Sequence, residues 1–156
     1  MSGALGLWLV AQAGCAHNVA DDFSLPDVRG GTRSLGDHRG QVVLVSFFAT
    51  WCVPCATELE EAERLWRAYR DRGLVVIAVS TDGPSSEGQV PAFVERHGLS
   101  FPVLLDRESR VFERHQPKGV MPFWVLFDRQ GRKRRAHEGY SPGAEAEIER
   151  AVLELL

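Results

Sequence analysis

Residues 42–48 read Val-Val-Leu-Val-Ser-Phe-Phe, a nearly unbroken apolar run dominated by β-branched and aromatic side chains. A strand with one wet face alternates polar and apolar residues; a run without alternation has to be covered on both faces, so it belongs in the middle of a sheet. Leu74 to Val79 and Phe123 to Phe127 repeat this character. Between the first two runs, Cys55, Leu59, Ala62, Trp66 and Tyr69 recur at spacings of four and three. That spacing puts them on one face of an amphipathic helix of about five turns, ending at Gly73. Gln89 to Gly98 and Ser109 to His115 read as further helices, with a strand from Phe101 to Leu105 between them. Ser141 and Pro142 read as the N-cap and first-turn proline of a last helix that buries Ile148, Val152 and Leu155.

Alternating units of this kind predict an α/β fold, a sheet with helices on both faces. The sheet should be mixed, because Phe123 to Asp128, the turn at Arg129, Gln130 and Gly131, and Lys133 to Glu138 form a hairpin pattern. Ahead of the core, Phe23-Ser24-Leu25 and Thr32-Arg33-Ser34-Leu35 suggest a small entry hairpin. A chain of 156 residues with 44% hydrophobic content suffices for one such domain and leaves no room for a second of ordinary size. Its net charge of -3 gives no footing for nucleic acid, and the short basic stretch Arg132 to Arg135 reads as a solvated strand end. The five histidines, His17, His38, His97, His115 and His137, have no motif partners and are assigned surface or local structural roles.

The first 21 residues read as a separate signal-like or lipoprotein-like segment and linker, followed by one domain over 22–156. Leu5 to Ala11 is a short apolar stretch that ends in Gln12, Ala13, Gly14 and Cys15, as secretory signals end, although no Lys or Arg precedes it. Ala11-Gln12-Ala13 fits cleavage before Gly14; Ala13-Gly14-Cys15 fits a bacterial lipoprotein signal, which would make Cys15 a lipidation site. An unprocessed first helix is the third reading. The first two place the domain outside the cytoplasm, with Cys15 the candidate membrane anchor.

Cys52 and Cys55 fall directly after the first core strand and at the start of the first long helix. Unsatisfied amides and the positive end of the helix dipole stabilise an anion there, so Cys52 is expected to be the nucleophilic thiolate. Two intervening residues allow the sulfurs to bond, and Pro54 sits in a first turn where it removes no helical hydrogen bond. The rival reading, half of a zinc site, lacks a second Cys-x-x-Cys or a close His pair, so no metal is expected.

The segment Phe47-Phe48-Ala49-Thr50-Trp51-Cys52-Val53-Pro54-Cys55 resembles the active-site stretch of the thioredoxin superfamily, and in particular its exported TlpA/ResA-like, or redoxin, branch. The resemblance runs from about Asp22 to Leu156 and implies a thioredoxin-like fold with an N-terminal hairpin and a central αβ insertion. It also implies a disulfide reductase that needs no cofactor and cycles the Cys52-Cys55 pair between dithiol and disulfide. Its partners would be a protein disulfide substrate, apocytochrome c among the possibilities, and an exported or membrane thiol electron donor. Glu58, one turn beyond Cys55, stands where the branch commonly has an acid that takes the Cys55 proton. Ser46 replaces a buried Asp of other thioredoxins, which gives Glu58 more weight. Met121-Pro122 matches the cis-proline loop that presents backbone to a substrate, and Trp51 is expected either to dock substrate or to pack on the loop. A disulfide oxidase or isomerase, a peroxiredoxin-like peroxidase and a metal-holding lipoprotein are the alternatives.

Overall fold

A computed structural model describes residues 21–156 of the chain. Strands β1 (Ser24–Pro26) and β2 (Thr32–Ser34) form an antiparallel hairpin. The core follows as β3 (Val42–Phe48), α1 (Val53–Tyr69), β4 (Leu74–Ser80), α2 (Val90–Arg96), β5 (Val103–Leu105), α3 (Arg110–His115), β6 (Phe123–Phe127), β7 (Lys133–Glu138) and α4 (Ala144–Leu155). The five core strands run in the order β5-β4-β3-β6-β7. β3 is therefore central, parallel to β4 on one side and antiparallel to β6 on the other. All seven of its residues are buried, as its lack of alternation requires.

Parity along β3 divides the core. Val42, Leu44 and Phe48 join one apolar cluster with Leu59, Ala62 and Leu65 of α1, Phe93 of α2 and Ile148 of α4. Val43, Val45 and Phe47 join a second cluster with Val111 and Phe112 of α3 and Phe23 ahead of β1. Ser46 shares parity with the first set, so its hydroxyl points into the layer that holds α1. The entry hairpin is fastened to the β5 edge by Val28 N–H donating to Val103 O at 2.9 Å, and by Arg29 reaching Phe101 O and Leu99 O at 2.8 and 2.6 Å.

Three local expectations shift. The last helix begins at Ala144 after Gly143, whose φ of 91° is open to glycine and strained for other residues; Ser141 instead accepts the Ala144 N–H in a preceding turn. Strand β5 starts at Val103, because Pro102 has no N–H to give a ladder, although Phe101 is fully buried beside it. His115 is buried against the rings of Phe47 and Phe127 and belongs to the core, since α3 lies on the sheet with that face inward. Among the described residues, no helix is long and apolar enough to cross a membrane. Cys15 and the rest of the expected export segment up to residue 20 lie outside the described residues.

Candidate active site

The C-terminal end of β3 runs into a tight turn in which Cys52 N–H donates to Ala49 O at 3.0 Å. Cys52 then serves as the N-cap of α1, with extended backbone angles, and Pro54 lies in the first turn where its missing N–H costs nothing. Cys55, one turn into the helix, is bonded to Cys52, with the two Cα atoms 5.3 Å apart. The two residues differ in surroundings: Cys52 is 8% exposed and borders Trp51 and Val53, which are 68% and 81% exposed, whereas Cys55 is sealed at 1%. A thiolate is thus favoured at the outer position, where helix amides and solvent meet, and disfavoured at the inner one.

Glu58 lies one turn below Cys55 on the inward face of α1 and is only 3% exposed. Ser46 Oγ donates to its Oε1 at 2.8 Å. Burial pushes the Glu58 carboxyl up to about 7, and the Ser46 hydrogen bond offsets only part of that rise. A carboxyl in this state exchanges a proton near neutral pH, which suits it to serve a buried thiol. Ser46 is paired across the sheet with Trp124 of β6, whose indole nitrogen is buried without a hydrogen-bond partner among the described residues.

The Met121–Pro122 peptide bond is cis and leads directly into β6. Met121 packs against both core clusters, and its Sδ lies 3.7 Å from Thr81 Oγ1 at the end of β4. Trp51, Thr81, Phe112, Lys118 and Met121 line one open groove. The structure therefore gathers Trp51, Cys52, Cys55, Glu58, Met121 and Pro122 at the ends of β3, β4 and β6 and the first two turns of α1. Sequence reasoning passed over Thr50, Thr81 and Asp82, which join these parts. Asp82 follows the parallel strand next to β3, at the strand ends where ligands and catalytic groups gather, but no spacing along the chain marks the contacts that join it to Thr50.

A mixed five-stranded sheet with helices on both faces, a Cys-x-x-Cys disulfide at the N-terminus of the first long helix and a cis-proline leading into β6 define a thioredoxin-fold redox protein. The sequence pattern of the AhpC/TSA family matches residues 16–135, and the chain belongs to that family and, within it, to the TlpA/ResA-like branch of the thioredoxin superfamily. It is 35% identical over 114 residues to the thiol-disulfide oxidoreductase ResA of Geobacillus kaustophilus, covering 73% of this chain and 64% of that one. With ResA of Geobacillus thermodenitrificans it is 34% identical over 122 residues, covering 78% of this chain and 68% of the relative. The chain thus spans about two thirds of the length of these relatives. Among solved structures, it superposes on the exposed lipoprotein thioredoxin Etrx1 of Streptococcus pneumoniae with a TM-score of 0.69 and 26% identity, over 86% of this chain and 99% of that one.

Proposed function

We propose that this chain is a thiol-disulfide oxidoreductase that reduces disulfides in exported proteins. The observation that carries the reading is the disulfide at the N-terminus of α1 with a buried, near-neutral carboxyl one turn beneath its inner cysteine. In the reduced protein the Cys52 thiolate attacks a substrate disulfide. A bond forms between Cys52 Sγ and one substrate sulfur, and the other leaves as a thiolate. The Cys55 thiol then gives its proton to the Glu58 carboxylate, and Cys55 Sγ attacks Cys52 Sγ. The second substrate sulfur departs, two electrons have passed to the substrate, and the Cys52–Cys55 disulfide remains. An exported or membrane thiol donor of two electrons closes the cycle.

Trp51, Met121 and Pro122 supply the docking surface, an exposed indole beside the disulfide that shares a groove with Met121 of the cis-proline loop. Substrates in this reading include apocytochrome c, as the resemblance to the TlpA/ResA-like branch implies. The domain over 22–156 works outside the cytoplasm, in the bacterial periplasm or at the outer face of the membrane, and residues 1–21 deliver it there. Cys15 is the proposed lipid anchor, in keeping with the lipoprotein nature of Etrx1. Metabolic labelling with a radioactive fatty acid tests this in wild type and Cys15→Ser: label retained by the variant excludes the anchor.

The deciding measurement is the reduction potential of the pair, by equilibration in thiol-disulfide buffers followed by Trp fluorescence, with Cys52→Ser as the control. A potential near or below about -250 mV supports a reductase, and one near about -120 mV identifies an oxidant instead. Absence of any redox transition removes the oxidoreductase reading altogether.

A further inference from the structure

Asp82, two residues beyond the end of β4, is 2% exposed, and a buried carboxylate is costly unless several donors surround it. Here the donors are present: Thr50 N–H at 2.9 Å, Thr50 Oγ1 at 2.6 Å and Ser80 Oγ at 2.8 Å, with the Ser86 hydroxyl as a fourth. Burial pushes the Asp82 carboxyl up, but the hydrogen bonds from Thr50, Ser86 and Ser80 outweigh it and hold it below the usual carboxylate range. It is an anion in the folded protein. Two of its donors come from a single residue 32 positions away, which lies inside the turn that closes through Cys52 N–H and Ala49 O. The neighbouring Thr81 binds the same region from the other side: its N–H donates to Phe48 O at 2.8 Å, and its hydroxyl lies 3.2 Å from that oxygen and 3.7 Å from Met121 Sδ.

We propose that Asp82 is a positioning residue of the redox loop: by gripping both donors of Thr50 it fixes the turn 49–52 that delivers Cys52 to the N-terminus of α1. The bidentate grip is a geometric device, since each carboxylate oxygen takes one Thr50 donor and Ser80 pins the carboxylate to β4. Without it the turn keeps the Cys52 N–H to Ala49 O bond and the Thr81 bonds to Phe48 O just ahead of it, but Thr50 between them is released, and the reduced Cys52 side chain gains orientations that point away from the N-terminus of α1. Charge alone predicts the opposite effect, because an anion nearby disfavours a second anion at Cys52. The two effects therefore have opposite signs and can be separated. The proposal rests on the thiol-disulfide reading above.

The test is the pH dependence of iodoacetamide alkylation of Cys52 in the reduced full-length chain, which requires no protein substrate. D82A is expected to raise the alkylation midpoint by about one pH unit and to slow alkylation at pH 7 about tenfold. D82N keeps the shape, accepting from Thr50 N–H and donating to Thr50 Oγ1, and is expected to stay within about threefold of wild type. T50V removes one of the two donors, leaves Asp82 intact and is expected to fall between them; it decides the matter if D82A does not fold. A clamp that is merely structural lowers the melting temperature and leaves the midpoint where it was, which overturns the proposal. Faster alkylation in both D82A and D82N shows that the charge dominates and overturns it equally. A wild-type Cys52 with an ordinary thiol midpoint and no redox transition defeats the oxidoreductase reading itself, whatever the Asp82 variants do.

Discussion

Replacing Glu58 by Gln should stabilise the oxidised protein at alkaline pH and do almost nothing at acidic pH. The carboxyl titrates near 7 in the folded chain against an ordinary 4.5, because burial opposes its charge. Between those values the unfolded chain has released the proton while the folded chain still holds it. The unfolded state therefore binds fewer protons, and stability falls as pH rises through that window, reaching a floor above pH 7. A gap of that size corresponds to about 3 kcal/mol at pH 8.5, an upper figure because water admitted on ionisation relieves part of it. Gln has nearly the same shape, accepts the Ser46 hydrogen bond through its oxygen and never ionises, so the variant escapes the penalty. Urea unfolding of the oxidised wild type and E58Q at pH 5 and pH 8.5 measures this. With a slope of about 2 kcal/mol/M, the variant's midpoint should exceed wild type by roughly 1 M or more at the higher pH and by less than about 0.5 M at pH 5. Equal midpoints at both pH values, or a variant that is less stable at pH 8.5, would refute the assignment of Glu58 as a buried, near-neutral carboxyl.

Other consequences follow from the same geometry. E58Q should slow turnover of a protein disulfide by about 10² or more at pH 7, and flatten the rise in rate around that pH, if it removes the acceptor of the Cys55 proton; stopped-flow exchange reads both. Ser46→Ala removes the hydrogen bond that lowers the Glu58 carboxyl, so the rise in exchange rate should move to higher pH, visible in the same profile. Cys55→Ser should accumulate a mixed disulfide between Cys52 and substrate on a non-reducing gel, whereas Cys52→Ser should accumulate none. Leu59→Ala, in the fully buried seam between α1 and the sheet, should cost about 2–5 kcal/mol in urea unfolding and leave the alkylation midpoint of Cys52 in place.

What could be read from the sequence was whatever depends on local periodicity or on a short contiguous motif. β3 announced itself because its seven residues are buried on both faces, and α1 because its inward residues recur every three or four positions. The Cys-x-x-Cys stretch was legible because its position between that strand and that helix gives it a chemical environment. The start of α4 was misplaced because Ser141-Pro142 carries a good capping signal, and only the backbone shows that Gly143 makes the turn. His115 looked like a residue at a helix end; its burial follows from how α3 lies on the sheet, and periodicity over six residues does not specify that. Thr50, Thr81 and Asp82 were invisible for a different reason. Their relation is a contact between chain segments more than thirty residues apart, created by the parallel pairing of β3 and β4, and no spacing along the chain encodes it.

The same helix supplies opposite environments to the two cysteines, and the proposed order of attack follows from that contrast. At its N-cap the uncompensated amides and nearby solvent stabilise negative charge, so Cys52 can wait as a thiolate before any substrate arrives. One turn inward, Cys55 is surrounded by apolar side chains that disfavour its thiolate, so it keeps its proton until something removes it. Glu58 is buried in that layer and is disfavoured as an anion for the same reason, which brings its affinity for a proton close to neutrality and towards that of the thiol it would serve. Transfer from Cys55 to Glu58 then moves charge within one buried layer, without carrying it into bulk water. A surface carboxylate near its ordinary 4.5 would be a far weaker acceptor. The buried position of Glu58 is thus required by the chemistry proposed for Cys55, and the stability it sacrifices at alkaline pH is the measurable trace of that requirement.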